Sequence, residues 1–464
     1  MSNTTTKKVP TELGTESIGK LLAQYAIPAI IAQIAASLYN LIDRAFIGHI
    51  PNVGTDAISG LTNTFPFMNL SVAFGAMFGV GGATLLSVRL GQRDYDSACN
   101  ILGNLVTLNI IVGITFAIVS LLFLDNILFF FGASEATLPY ARDFMTVMLY
   151  GNAITHLYFG INAALRASGH PKESMYATIL TVVCNIILAP LFIYAFKWGI
   201  RGAALATMLS QSITLLWQIK LLSNPNALLH LRKGIYALRA RFVKGILGIG
   251  LSPFLINAAA CIVVIIINKG LRMYGDNGDM AIASYGIANR VIFIFIMVVL
   301  GVTQGMQPII GYNFGARRYD RVKETLKQTL WWAMGVTFTG FALCEGIPEL
   351  ISRAFTTDTT LIANASKGMR ISCMFILLAG IQMVTTNFFQ SVGKVNKAIF
   401  LSLTRQVLFL IPLLIILPLY MGENGVWFSI PIADFISGII AIILLKGQFK
   451  QWNNPDFAAD KVQK

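Results

Sequence analysis

Gly91-Gln-Arg-Asp-Tyr-Asp96 returns as Gly315-Ala-Arg-Arg-Tyr-Asp320, a shift of 224 residues, and each copy stands between two long apolar runs. The same shift carries Asp125–Phe131 onto Glu349–Phe355 and Arg166-Ala-Ser-Gly169 onto Gln390-Ser-Val-Gly393. A shift of 225 relates Pro28 to Pro253, and 223 relates Gly199 and Gly202 to Gly422 and Gly425. Matches in order along a whole half mark an internal duplication. Apolar runs long enough to cross a bilayer fall at about 18–48, 57–88, 98–124, 138–165, 174–196, 200–221, 244–268, 281–311, 325–346, 361–391, 396–420 and 425–446. Six runs per copy make both copies enter the membrane in the same sense. They are parallel repeats about an axis along the membrane normal, and a transporter places its cavity at their interface.

Composition points the same way. Hydrophobic residues are 55% of the 464 and charged residues 12%, whereas ordinary soluble domains run near ~25% charged. A water-soluble enzyme, a disordered regulator and a collagen-like chain are excluded. The fold class is an all-α membrane protein of twelve transmembrane helices in two parallel-repeat six-helix lobes. The expected divisions are a tail at 1–17, an N-lobe at 18–222, a linker at 223–243, a C-lobe at 244–446 and a second tail at 447–464. The first apolar run reads as a retained span and not as a signal peptide. Pro28, Pro66, Pro190, Pro253, Pro308 and Pro412 lie inside runs, where each removes a backbone hydrogen bond and favours a bend.

The net charge of +14 matters through its distribution. The N-terminus and the even-numbered connections hold Lys7, Lys8, Arg89, Arg93, Arg232, Lys233, Arg317, Arg318 and Arg321, and the C-terminal tail adds further lysines. The odd-numbered connections hold chiefly Lys197, Arg201, Lys269, Arg272 and Arg353. By the positive-inside rule both termini are cytoplasmic, and the basic patches are topogenic, with no nucleic-acid role. The five cysteines (Cys99, Cys184, Cys261, Cys344, Cys373) show no CxxC spacing, so neither a disulfide framework nor a metal site is expected. No phosphate-binding GxxxxGK[ST] loop, catalytic triad signature or metal-ligand cluster is present, and the chain reads as a non-enzyme without a cofactor.

Asp43 sits roughly seven residues from the outer end of the first run, about 10 Å deep at ~1.5 Å per residue. An ionised carboxylate there is costly unless paired, which makes Asp43 a candidate proton carrier. The competing reading is an ion pair with Arg44, although adjacent helix positions point about 100° apart. Tyr39 and Asn40 lie one turn away and are placed to donate to it. The second copy has Asn268 in the equivalent position. Arg290 and Asp434 are the other deep charges singled out, each about 17 Å from the same outer surface by residue count. Equal depth predicts an ion pair, read as a structural clamp between spans 8 and 12, with a substrate or gating role as the other possibility. Met68, Met77, Met145 and Met148 are candidates for an adaptable apolar cavity, although such residues more often face core or lipid.

Tyr39-Asn-Leu-Ile-Asp-Arg-Ala-Phe-Ile-Gly48 resembles the first-span motif of multidrug and toxic compound extrusion (MATE) transporters. Gly91-Gln, Gln307-Pro-Ile-Ile-Gly-Tyr-Asn-Phe-Gly-Ala316 and Asn162-Ala-Ala-Leu-Arg-Ala-Ser-Gly169 resemble the family as well, and the likeness runs from about residue 15 to 448. The resemblance implies two lobes in a V, export of small-molecule drugs and cation-driven antiport in a bacterial inner membrane, by a monomer. It places Asp43 on the family's coupling carboxylate. It also places Asn162, Asn185 and Thr207 on the polar cavity residues of the branch with a first-span Asp. One departure is Ala189, where many relatives carry a second carboxylate. Its loss favours H+ over Na+, with Na+ the second choice. The alternative within the same broad superfamily, a lipid-linked oligosaccharide flippase, asks for a larger basic cavity than the first-lobe spans offer.

Overall fold

A computed structural model describes residues 12–50, 54–225, 229–275 and 277–452. Among them the regular structure is helical. Eight helices are each long and apolar enough to cross a membrane, and a ninth crossing is a bent pair. Three more helical segments complete twelve spans. Spans 1 to 3 are Ile18–Gly48, Gly54–Gly91 and Tyr95–Leu122. Span 4 is Leu138–Tyr150 with Asn152–Ala167, span 5 is Pro171–Pro190 with Leu191–Ala195, and span 6 is Gly199–Leu222. In the second repeat, spans 7 to 9 are Ala240–Tyr274, Gly278–Gly315 and Tyr319–Gly346. Span 10 is Thr359–Cys373 with Ile376–Ser391, bent by 51°. Span 11 is Val395–Leu403, Thr404–Leu410 and Ile411–Met421, and span 12 is Glu423–Trp452.

The expected bends take a specific form in spans 5 and 11. Each carries a stretch of π-helix, Leu191–Ala195 directly after Pro190 and Thr404–Leu410 directly before the turn that holds Pro412. A proline withholds a backbone N–H, and an extra residue in the turn re-satisfies the neighbouring carbonyls.

Three apolar cores show how the lobes meet. One lies at the end of the bundle that carries Ile18 and Trp452, here called the terminal end, and mixes both repeats: Leu22, Ile101, Leu165, Ile309, Val322 and Phe388. The other two lie at the far end and are separate. Ile47, Phe67, Met145 and Phe192 belong to the first lobe, and Val263, Val291, Met369 and Trp427 to the second. The lobes are therefore joined at one end and parted at the other. Of the expected tails, Glu12–Thr15 is a helical turn with Leu13 buried, and span 12 runs on to a buried Trp452. Residues 1–11 and 453–464 lie outside the described residues. The linker is pinned along span 3, where Asn104 Nδ2 donates to the Ala237 carbonyl at 3.1 Å and Oδ1 accepts from the Arg239 N–H at 2.9 Å.

The joined end depends on glycine. A Cβ on Gly91 would lie 1.9 Å from the Tyr312 carbonyl oxygen, and one on Gly315, its repeat equivalent, 2.1 Å from that of Val88. Span 2 crosses span 7 at Gly81 and Gly250 with the same intimacy, 2.1 and 1.9 Å from the Ile246 and Met77 carbonyl oxygens. Backbones thus touch directly across the repeat interface, the close packing that small residues permit in membranes. A larger side chain there must part the lobes. Gly91→Val or Gly315→Val is expected to cost about 1–3 kcal/mol by overpacking and to lower the thermal unfolding midpoint of the purified protein. Gly335→Ala, whose added Cβ meets nothing within 4 Å, is expected to leave it unchanged.

Candidate functional site

The last two turns of span 1 bring Tyr39 and Asp43 to its buried face. Asp43 is 8% exposed. Arg44, one residue on, turns away and sits over the Phe65 ring, 5.2 Å from its centroid. The neighbour ion pair does not form, as the angular offset of adjacent positions requires. Tyr39 Oη lies 2.8 Å from Thr207 Oγ1, and Asn185 Nδ2 donates to the same oxygen at 3.1 Å. Thr207 Oγ1 also lies 3.2 Å from the Ala203 carbonyl, so it stands at the centre of the hydrogen bonds that link spans 1, 5 and 6. Asp43 Oδ1 is sealed from solvent and has no hydrogen-bond partner among the described residues. Tyr194, in the π-helical stretch of span 5, donates to the Phe46 carbonyl at 2.6 Å and fixes the end of span 1 over this site.

Spans 1, 5 and 6 thus bring together Tyr39, Asp43, Asn185 and Thr207, four of the residues singled out in the sequence. Two others lie elsewhere. Asn40 is exposed and donates back to the Ala36 carbonyl at 2.8 Å, because one residue of helix rotates it off the face that Tyr39 and Asp43 share. Asn162 belongs to a cluster nearer the terminal end, where its Oδ1 accepts from Arg166 Nη1 at 2.5 Å and its Nδ2 donates to the Ser174 carbonyl at 3.1 Å. Ala189 is fully buried one turn beyond Asn185 and offers no side-chain oxygen. Met145 and Met148 pack into the first-lobe core, so they are not cavity-lining.

The expected Arg290–Asp434 pair is corrected. Asp434, 3% exposed, accepts from Arg405 Nε at 2.5 Å. Arg405 lies in the π-helical stretch of span 11, which packs beside span 12. Arg290 is exposed on span 8 and belongs to none of the ion pairs among the described residues. Residue counting from the outer end does not match this pair: Arg405 lies about 15 residues in from the end of the run at 396–420, ~22 Å against ~17 Å for Asp434, and its long side chain covers the difference. His156 is a second omission. It is fully buried, with Nε2 3.2 Å from Ser71 Oγ, which itself donates to Asn152 Oδ1 at 2.6 Å. A cavity of about 1000 Å³ is an open groove at the far end of the first lobe that holds the pairs Arg142–Asp125 and Arg201–Asp143 and not Asp43.

Two parallel six-span repeats joined at one end, with an unpaired buried carboxylate in the first lobe, define a helical membrane transporter. Residues 28–191 and 249–416 match the MatE family, one stretch in each lobe, and the chain belongs to that family. It is similar to the multidrug export protein MepA of Staphylococcus haemolyticus, 28% identical over 92% of this chain and 93% of that one. It is also similar to MepA of Staphylococcus aureus, at 27% identity with the same coverage. The fold matches that of a multidrug resistance MATE family transporter in an outward-facing conformation, with a TM-score of 0.89, 23% identity, and 97% and 99% of the two chains covered.

Breaking a buried ion pair strands a charge and costs about 3–5 kcal/mol, whereas replacing both partners with apolar groups is nearly neutral. Asp434→Leu alone is therefore expected to lose most of its folded yield. Arg405→Met with Asp434→Leu is expected to recover it, and Arg290→Met to be silent. Fluorescence-detected size exclusion at matched expression reads the result.

Proposed function

We propose that the protein is a secondary active exporter that exchanges H+ for cationic or amphipathic drugs, with Asp43 as the coupling group. The observation that carries this reading is the Asp43 carboxylate itself: buried in a span, without a counter-ion, and with one oxygen lacking a donor. A full charge held permanently in that setting is costly. A group that alternates between a proton and a bound cation meets the requirement. Similarity to proteins named for multidrug export supports the drug side of the exchange.

The choice of H+ over Na+ rests on the oxygens available. Sodium asks for several ligands with compensating charge. Here Tyr39 and Thr207 are bonded to one another, and Ala189 contributes none. Basic residues gathered at the terminal end support a reading in which that end lies on the cytoplasmic side of a bacterial inner membrane. The protein acts as a monomer, and the cleft between the parted far ends of the lobes faces outward. The flippase alternative gains no support from a first-lobe site whose charge is a carboxylate.

Exchange of one H+ for one monovalent cation moves no net charge. The driving force is then the pH gradient alone, about 1.36 kcal/mol or tenfold accumulation per unit. In Na+-free proteoliposomes, an imposed pH gradient should drive export by the parent. Asp43→Asn, which keeps size and hydrogen-bonding capacity but cannot titrate, should abolish gradient-driven export at unchanged protein level. Asp43→Glu should retain part of it with a displaced pH optimum. A strict Na+ requirement, or full export by Asp43→Asn, would refute the coupling.

A further inference from the structure

The second cavity, about 270 Å³, lies between the lobes above the joined end and is walled by spans 2, 4, 7, 8 and 10. Arg166 is the single charged group among the neutral polar side chains of its lining. Arg166 enters from the first lobe and Gln390 from the second, and the shift of 224 makes them the same position in the two repeats. Arg166 donates through Nη1 to Asn162 and, at 3.0 Å, to Ser174 Oγ. Its remaining N–H groups have no partner among the described residues, and none of the ion pairs there involves it. Gln390 and Thr84 are each 2% exposed, and the Gln390 Nε2 and Thr84 Oγ1 atoms lack partners. Gln307 Nε2 donates to Asn387 Oδ1 at 2.8 Å on the second-lobe wall. No carboxylate lines the cavity.

The Arg166 guanidinium, in the last turn of span 4, meets no counter-charge in this chamber. Two further hydrogen-bonding groups, an amide N–H and a hydroxyl, share its cavity unpaired. Together they reproduce the donor set that recognises a small oxyanion or halide. We infer that this inter-lobe chamber is an anion-binding site, taking a single negative charge such as a carboxylate group or a free inorganic anion. The two lobes each contribute a donor, so an anion held there also bridges them. Nothing in the exchange at Asp43 uses this site. Its test needs no drug, gradient or coupling ion, so it succeeds or fails apart from the export reading.

The test is thermal unfolding of the full-length protein in uncharged detergent and a low-salt zwitterionic buffer. Potassium acetate, potassium chloride or neutral acetamide is titrated from about 0.1 to about 100 mM, the range that saturates a millimolar site. The expected result is a saturable rise in the unfolding midpoint with acetate or chloride and none with acetamide. The half-point should move up about tenfold in Arg166→Gln and about threefold in Gln390→Leu, which keeps the cation and decides the matter if Arg166→Gln does not fold. Saturation by acetate alone identifies the carboxylate of an organic solute as the ligand, and saturation by chloride identifies a free inorganic anion. A response equal in the parent and the variants, or one that never saturates, overturns the assignment.

Discussion

The structure depends on the places where the two repeats touch backbone to backbone. Span 2 crosses span 7, and the terminal ends of spans 2 and 8 meet, at glycines whose missing Cβ is already occupied by a carbonyl of the other lobe. A contact so close has few intermediate positions, because packed interfaces are bistable and not continuously deformable. It allows each lobe to remain a rigid bundle with its own core at the far end while the two share one core at the terminal end. Motion between the lobes must break and remake this seam.

Within that frame the duplicated halves have diverged in how they treat a deep acid. In the second lobe Asp434 is neutralised by Arg405 at 2.5 Å, so its charge is spent on holding spans 11 and 12 together. In the first lobe Asp43 has no such partner. Its nearest basic residue, Arg44, is drawn off to the Phe65 ring. One carboxylate is paired and the other has no hydrogen-bond partner on its Oδ1 among the described residues. Two acids of similar burial, on spans that are not repeat equivalents, thus differ in that one has an arginine partner and the other has none.

The fold was legible because its signals are long. Twelve apolar runs, the doubled Gly-x-Arg motif and the in-line prolines each act over tens of residues, and the bilayer's demand for internal hydrogen bonding leaves only helices to satisfy them. The site was legible only in part. Tyr39, Asn185 and Thr207 are joined by hydrogen bonds one turn from Asp43, but Asn40 and Asn162 lie apart, since one residue of rotation or a few turns of depth separates a neighbour in sequence from a neighbour in space. The partner of Asp434 is not legible for a related reason: Arg405 lies inside an apolar run, and the π-helical stretch that holds it has no simple signature beyond the nearby Pro412.

The central claim, that Asp43 gives up a proton when a cation binds, has a direct readout. Tetraphenylphosphonium has no titratable group, so any proton released on its binding comes from the protein. Added to purified protein in a weakly buffered solution near neutral pH, it should release close to one proton per binding event in the parent and none in Asp43→Asn. Binding without proton release in the parent, or equal release in the variant, would contradict the account.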